Sequence, residues 1–511
     1  MSTDIMDPYD QLLSRYKQLT ILRTAIGILY WDLETKMPPR GIEQRSEQLS
    51  LLEVMAHREQ VDPKVNELLV SIERSDRFDT LNEVQRRNVK LIRKYYDEEA
   101  KLPDELVAEI SKQAAITVNV WKRAKAAKDY SMFKPDLAKT IELKKKAADI
   151  LMAVKGTRTP YDALLDSFEP GMTSEKVTEI FNGMKKGLMS VLERIRSSDV
   201  RPDMSILKRR VPVEDQRKIS LLAMKFVGYD TTSPNAGGRL DETEHPFSTG
   251  YYDDLRITTH YHIRKFDSSL FSVLHEAGHA MYEGNQPAEW KYQPVGAPAS
   301  YGVHESQSRF VENIIGRSPE FLSYVFPKIK KVTGSALSDV KARDFIIAVN
   351  NVKPSKIRIE ADEVTYGLHI IIRFEIERDI FEGKIGVDEL PQVWNEKYGK
   401  YLGVKIKNDS EGVMQDTHWA NGSFGYFPSY ALGNIYGGMF LERMERDLPE
   451  WRSSIAKGNF MPVREWLKEN VHSKGNLYDP ADLVKVITGR SLDIDPFIKY
   501  LDGKMGKIFG Y

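Results

Sequence analysis

The stretch FSVLHEAGHAMYEGN, residues 271–285, places His275 and His279 four positions apart, with Glu276 directly after the first. On an α-helix, residues four apart lie one above the other on the same face. Asp267, Ser268 and Ser269 offer an N-cap just upstream, and Leu270, Phe271, Leu274 and Met281 give the apolar positions of a buried face. Gly284 is the expected stop. The stretch is therefore read as a helix that carries both imidazoles on one side.

Helical patterning continues on both sides. In 174–198, Val177, Ile180, Phe181, Met184, Leu188, Val191 and Ile195 recur at spacings of three and four. The stretch 134–156 opens near Pro135 and closes at Gly156. Further helices are expected near 8–30, 43–57, 104–128, 320–333, 360–381 and 481–489. RITTHYHI, 256–263, is β-branched, aromatic and alternating, so it reads as a strand just before the histidine helix. The stretches 229–250 and 284–302 are rich in Gly, Pro, Ser or Asn and read as loops. No fixed-period repeat or low-complexity linker divides the chain. The expected fold class is mainly α, with residues 1–511 forming one unit.

The chain has 511 residues, 41% of them hydrophobic, enough for a large core. Lys and Arg total 74, as do Asp and Glu, so no global field points to nucleic acid or an anionic membrane. Cysteine is absent, which excludes disulfides, thiolate metal sites and thiol nucleophiles. The opening MSTDIMDPYD lacks a leader pattern, and no apolar run reaches the ~18–20 residues of a membrane span. A cytoplasmic location is expected.

His275, Glu276 and His279 spell H-E-x-x-H. Both imidazoles can reach one ion, and the glutamate, one step round the helix, can hydrogen-bond a water there, as in zinc peptidases. Two histidines leave such a site one protein ligand short. The compact arrangement with a third histidine six residues on is excluded, because Asn285 occupies that position. Downstream, HESQSR (304–309) opens a second expected helix. Glu305 suits a helix–loop–helix return, but His304 and Glu312 are rivals, and Glu283 is a candidate outer partner.

The ordered set of segments YWDLETKMPPRG (30–41), EHPF (244–247), DLRIT (254–258), HEAGH (275–279), HESQSR (304–309), IRIEAD (357–362) and GVMQDTHW (412–419) resembles the carboxypeptidase Taq family of metallocarboxypeptidases. The resemblance implies a large helical fold split by a deep groove, with a short β-sheet beside the metal helix. It assigns His275, His279 and Glu305 as ligands of one divalent metal, Zn2+ or alternatively Co2+, and it implies a homodimer. After DLRITT this chain has His260 and Tyr261 where many members carry Arg-Tyr, which puts fine substrate preference at the strand in question.

The function implied is a metal-dependent carboxypeptidase that releases single C-terminal residues from peptides, using metal-activated water with Glu276 as general base. A helical endopeptidase or dipeptidase with the same ligands is the alternative, and a silent metal-binding protein a further one. Arg256 and Arg358 are candidates to hold the substrate's terminal carboxylate, because a guanidinium can donate two parallel hydrogen bonds. Gln415 is a further substrate-binding candidate. Likeness to related helical zinc peptidases makes His418, with Tyr426 or Tyr430, a candidate to donate to the developing oxyanion. His369 lies on an apolar face and is expected in the core. His245 stands out only through its EHPF segment, and His57 and His472 have no suggestive surroundings.

Overall fold

The structure, a computed structural model, describes residues 7–75 and 77–511. The first six residues, part of the stretch read for a leader pattern, lie outside it. Most of the described chain is helical, as expected, with a single small sheet. No helix among the described residues is long and apolar enough to cross a membrane.

Helices α1 (Pro8–Thr35) and α2 (Ile42–Val61) form a long hairpin. It joins α3 (Glu83–Ala100), which starts at a reciprocal cap between Asn82 and Gln85. Leu12 of α1 and Val89 of α3 meet Leu69, from the intervening helix Pro63–Glu73, in a small apolar cluster. The main core is much larger and continuous. It includes α4 (Tyr130–Lys155) and α5 (Ser174–Ser197), whose Val177, Phe181, Met184, Leu188 and Val191 are all buried at the expected spacing. Each such side chain contributes about 1.5–3 kcal/mol through burial. Helix α4 begins at Tyr130, earlier than expected, because Asp129 caps it and Pro135 is accommodated inside the helix.

The sheet order is β1 (Gly238–Glu242), β3 (Asp254–Thr259), β2 (Ser248–Tyr251), with β1 parallel and β2 antiparallel to the central strand. The expected strand ends at Thr259, not Ile263, because the chain then turns into α6 (Phe266–Gly284). β1 and the start of β2 lie inside the segment read as a loop. Their Gly, Ser and charged residues give no alternating signature, and pairing with β3 is what makes them strands.

Helix α6 lies under the sheet, with Leu270, Leu274, Ala277 and Tyr282 fully buried. Its N-terminus has no side-chain cap: Lys265 takes that position in place of the expected Asp267, Ser268 or Ser269. Helix α7 (Tyr301–Arg309) is capped by Ser300, so it starts before the HESQSR segment. Two more helices complete the surroundings of the site: α8 (Tyr366–Phe381) and α9 (Phe427–Asp447).

Candidate metal centre

Helix α6 brings His275 and His279 to one face, with ring centroids 4.9 Å apart. Helix α7 supplies Glu305. Its Oε2 lies 3.6 Å from His275 Nε2 and 3.4 Å from His279 Nε2, and the three ligand atoms lie within 4.8 Å of one another. Ligands about 2.0–2.1 Å from a tetrahedral zinc would be separated by about 3.3 Å, so both His–Glu separations fit one ion.

Glycines permit the close approach. A Cβ on Gly278 would meet the Gln307 carbonyl oxygen at 2.6 Å, so only glycine lets α6 and α7 touch backbone to backbone. A Cβ on Gly433 would lie 3.1 Å from Glu305 Cβ and Cγ, so α9 rests directly on the methylene stem of Glu305.

The rivals left open by the sequence take other positions. Glu312 accepts a hydrogen bond from His275 Nδ1 at 2.9 Å, leaving Nε2 to face the centre. Arg317 donates to the other oxygen of Glu312. His304 stacks on His279 at 4.2 Å and lies 3.2 Å from Glu283, so the candidate outer partner Glu283 sits beside His304. Arg309 donates to Glu305 Oε1 at 2.8 Å and Ser308 to Oε2 at 3.1 Å, fixing the carboxylate from both sides.

The charges also fit a cation. Burial opposes protonation of His275, but Glu305 and Glu312 outweigh it and lift its pKa to about 9. The buried carboxylates thus hold a proton where a metal would hold positive charge. Burial also disfavours ionised Glu305, yet Arg309 and the two histidines keep its pKa well below the usual range. His279 is lowered to about 3, by burial and then by His304. Glu276 is pushed up to about 7, mainly by burial.

Across from the ligands, Tyr426, Tyr430 and Gly433 share one face at spacings of four and three. His418 Nε2 is 3.4 Å from the Tyr430 hydroxyl, and its ring stacks on Tyr426 at 5.5 Å. Burial, followed by the Arg358 cation, lowers His418 to about 4. Burial raises Tyr426 to about 12 and Tyr430 well above its usual value. All three are neutral near pH 7, with protons to donate.

Arg358 lies beyond Tyr430, its guanidinium 5.1 Å from that ring. It pairs with Asp416 at 2.9 Å and donates to the Tyr366 hydroxyl. Asp416 also holds Arg373, at 2.6 Å. Two buried guanidiniums share one carboxylate, leaving an excess positive charge beside the centre, which favours an anionic ligand.

Arg256 is placed differently. Leu255 and Thr259 face α6, so Arg256 points to the opposite side of the sheet. There it stacks on Trp31 at 4.3 Å and makes two hydrogen bonds to Asp254. Gln415 accepts from the Arg358 backbone N–H and donates to the carbonyls of Lys356 and Glu411, so its amide fastens the Arg358 segment.

His369 is in the core, bonded to Tyr398, and His472 is buried between Asn285 and Gln307. His245 is exposed, and His57 lies 3.9 Å from Glu99. Sequence reading missed Arg309, Tyr366, Arg373 and Asp416. The Glu305–Arg309 spacing of four was a usable signal, whereas the others are brought together only by the tertiary fold.

The chain matches the model of the carboxypeptidase Taq (M32) metallopeptidase family over residues 11–505. It is 38% identical over 495 residues to carboxypeptidase 1 of Bacillus subtilis, covering 96% of this chain and 97% of that protein. It is 39% identical over 510 residues to thermostable carboxypeptidase 1 of Thermus thermophilus, covering 98% and 99%. The crystal structure of an M32 carboxypeptidase from Deinococcus radiodurans superimposes with a TM-score of 0.93 at 33% identity, covering 99% of this chain and 100% of that one. Helices, sheet, metal-ligand geometry and these full-length matches agree: the chain belongs to the carboxypeptidase Taq (M32) metallopeptidase family.

Proposed function

We propose that the metal-dependent carboxypeptidase activity of this family is carried out here by His275, His279 and Glu305 as metal ligands and Glu276 as general base. The observation that carries this reading is the convergence of two Nε2 atoms and one carboxylate oxygen beside a buried glutamate. When bound, a divalent ion, with Zn2+ favoured and Co2+ as substitute, supplies Lewis-acid polarisation of the scissile carbonyl and acidification of water. The three ligand side chains hold that ion.

Glu276 takes a proton on its carboxylate from the attacking water and passes it to the leaving amine nitrogen. Its pKa near 7 suits both transfers. Neutral His418, through Nε2–H, and Tyr430 or Tyr426, through its hydroxyl, donate to the oxyanion as the carbonyl becomes tetrahedral. Arg358 takes the substrate's terminal carboxylate, supported by the excess charge it shares with Arg373 and Asp416. In this reading Gln415 positions Arg358 without touching substrate, and Arg256 anchors α1 to the sheet. Each cycle releases one C-terminal amino acid.

The proposal extends to a homodimer in the cytoplasm, with residues 1–511 as one catalytic unit. Exposed Ile21, Ile28, Ile42, Leu51 and Met55 on α1 and α2 favour a second copy covering that face.

The test is mass spectrometry of one defined peptide, with free or amidated C-terminus, digested with and without chelator. Single residues should leave the free end only, and only when metal is present. Internal fragments or dipeptides would replace the reading with an endopeptidase or a dipeptidase. Glu276→Gln should retain the metal and lose about 10²–10⁴ in kcat.

A further inference from the structure

Beside the metal ligands opens a cavity of about 670 Å³ that none of the assigned roles uses. It is bounded by the metal-side residues His304 and Glu283, by Phe168 and Tyr301, and by Leu91 and Tyr95 of α3. Helix α7 gives it a direction. Arg309, four residues after Glu305, has its guanidinium 4.5 Å from the Tyr366 ring, and Tyr366 in turn bonds Arg358. Tyr301, four residues before Glu305, borders the cavity. Four residues of helix span about 6 Å, close to two residues of extended peptide. With the terminal carboxylate at Arg358, the chain upstream of the scissile bond leaves on the Tyr301 side.

The chemistry of the walls is specific. Phe168, Tyr301 and Tyr426 form a triangle of edge-on rings with centroids 5.1 to 5.5 Å apart. Tyr301 is 52% exposed although it sits among aromatic neighbours, so one side of its ring is open to a ligand. Most charges on the walls are matched: Arg87 with Asp479 at 2.7 Å, Lys94 with Asp166 at 2.9 Å and with Glu98 at 3.8 Å, and His304 beside Glu283, while Lys90 makes no ion pair among the described residues. Such a lining rewards apolar surface and selects little by charge.

We propose that this cavity is the subsite for the two residues upstream of the scissile bond, and that Phe168 and Tyr301 give it a preference for large apolar or aromatic side chains. The inference rests on the carboxypeptidase reading above.

The test uses the metal-loaded enzyme and two series of N-acetylated peptides, Ala-X-Leu and X-Ala-Leu, with X as Gly, Leu, Phe, Glu or Lys. Release of leucine is followed to give kcat/KM. In at least one series Phe and Leu should exceed Gly by about tenfold, the lower range for an apolar pocket. Glu and Lys should behave alike. Tyr301→Ala or Phe168→Ala should lower kcat/KM for the Phe and Leu peptides more than for the Gly peptides, flattening the preference, and Tyr301→Phe should restore it.

A flat wild-type response in both series would overturn the subsite. So would a preference that survives both alanine variants, or an equal loss for Gly and Phe peptides in those variants. No release of leucine from any peptide would instead fail the carboxypeptidase reading itself.

Discussion

Replacing Gly278 by alanine tests how the metal centre is assembled. The new Cβ would lie 2.6 Å from the Gln307 carbonyl oxygen and 2.7 Å from Ser308 Cα, both backbone atoms of α7. Moving Ser308 Cα out to an ordinary contact of 3.4 Å separates the helices by about 0.7 Å. Ser308 also donates to Glu305 Oε2, so its displacement carries the third ligand away from the histidines. Metal sites tolerate ligand shifts of about 0.2 Å. Metal affinity should therefore fall by at least the 10–100-fold typical of changes outside the ligand set. Overpacking costs about 1–3 kcal/mol, and the better helix propensity of alanine returns about 1 kcal/mol. The metal-free protein should thus melt only a little lower than the wild type. The stabilisation gained on adding metal should shrink by about 2.7 kcal/mol for a 100-fold loss of affinity. The assay is a competition titration against a chelator, with thermal melts of metal-free and metal-loaded protein. Unchanged metal affinity together with unchanged kcat/KM would refute the backbone-contact argument.

Other outcomes follow from the same geometry. Glu312→Gln weakens the partner of His275 Nδ1 and should lower metal affinity about 10–100-fold, read by the same titration. Arg358→Lys keeps the charge but loses the planar fork, so kcat/KM for free-acid peptides should drop about 10–100-fold, mostly in KM, while amidated peptides remain poor substrates. Glu169, fully buried and accepting hydrogen bonds from Ser300, Gly302 and Tyr436, is raised to about 7 by burial, from an ordinary 4.5. A raised folded-state pKa means its contribution to stability is complete below about pH 4.5 and is lost as pH rises through about 7. The difference in Tm between wild type and Glu169→Gln should therefore shift against the wild type across that window and level off above it. A difference that stays constant from pH 5 to 8 would show that Glu169 titrates normally.

Local patterns were legible in the sequence because they act over one or two turns. The pairing of His275 with His279, the position of Glu276 and the apolar stripe of α5 all follow from helical periodicity, and each appears where the spacing put it. The absence of cysteine excluded thiolate metal ligands. The ordered motifs added the family and, through it, the expectation of a groove and of Glu305 as the third ligand.

Other features needed the folded chain. The strands β1 and β2 had no local signature, since only hydrogen bonds to β3 define them. Glu305, His304 and Glu312 lie within nine residues, and their separate positions depend on how α7 meets α6 at Gly278. Arg256 and Arg358 looked equivalent in sequence. The alternation of β3 turns Arg256 toward Trp31, whereas Arg358 bonds Tyr366 eight residues on and meets Asp416, from a distant segment, which Arg373 shares. Spacing along a chain fixes which side chains share a face, but a site closed by facing helices depends on backbone approach to within a fraction of an ångström, and only tertiary packing sets that distance.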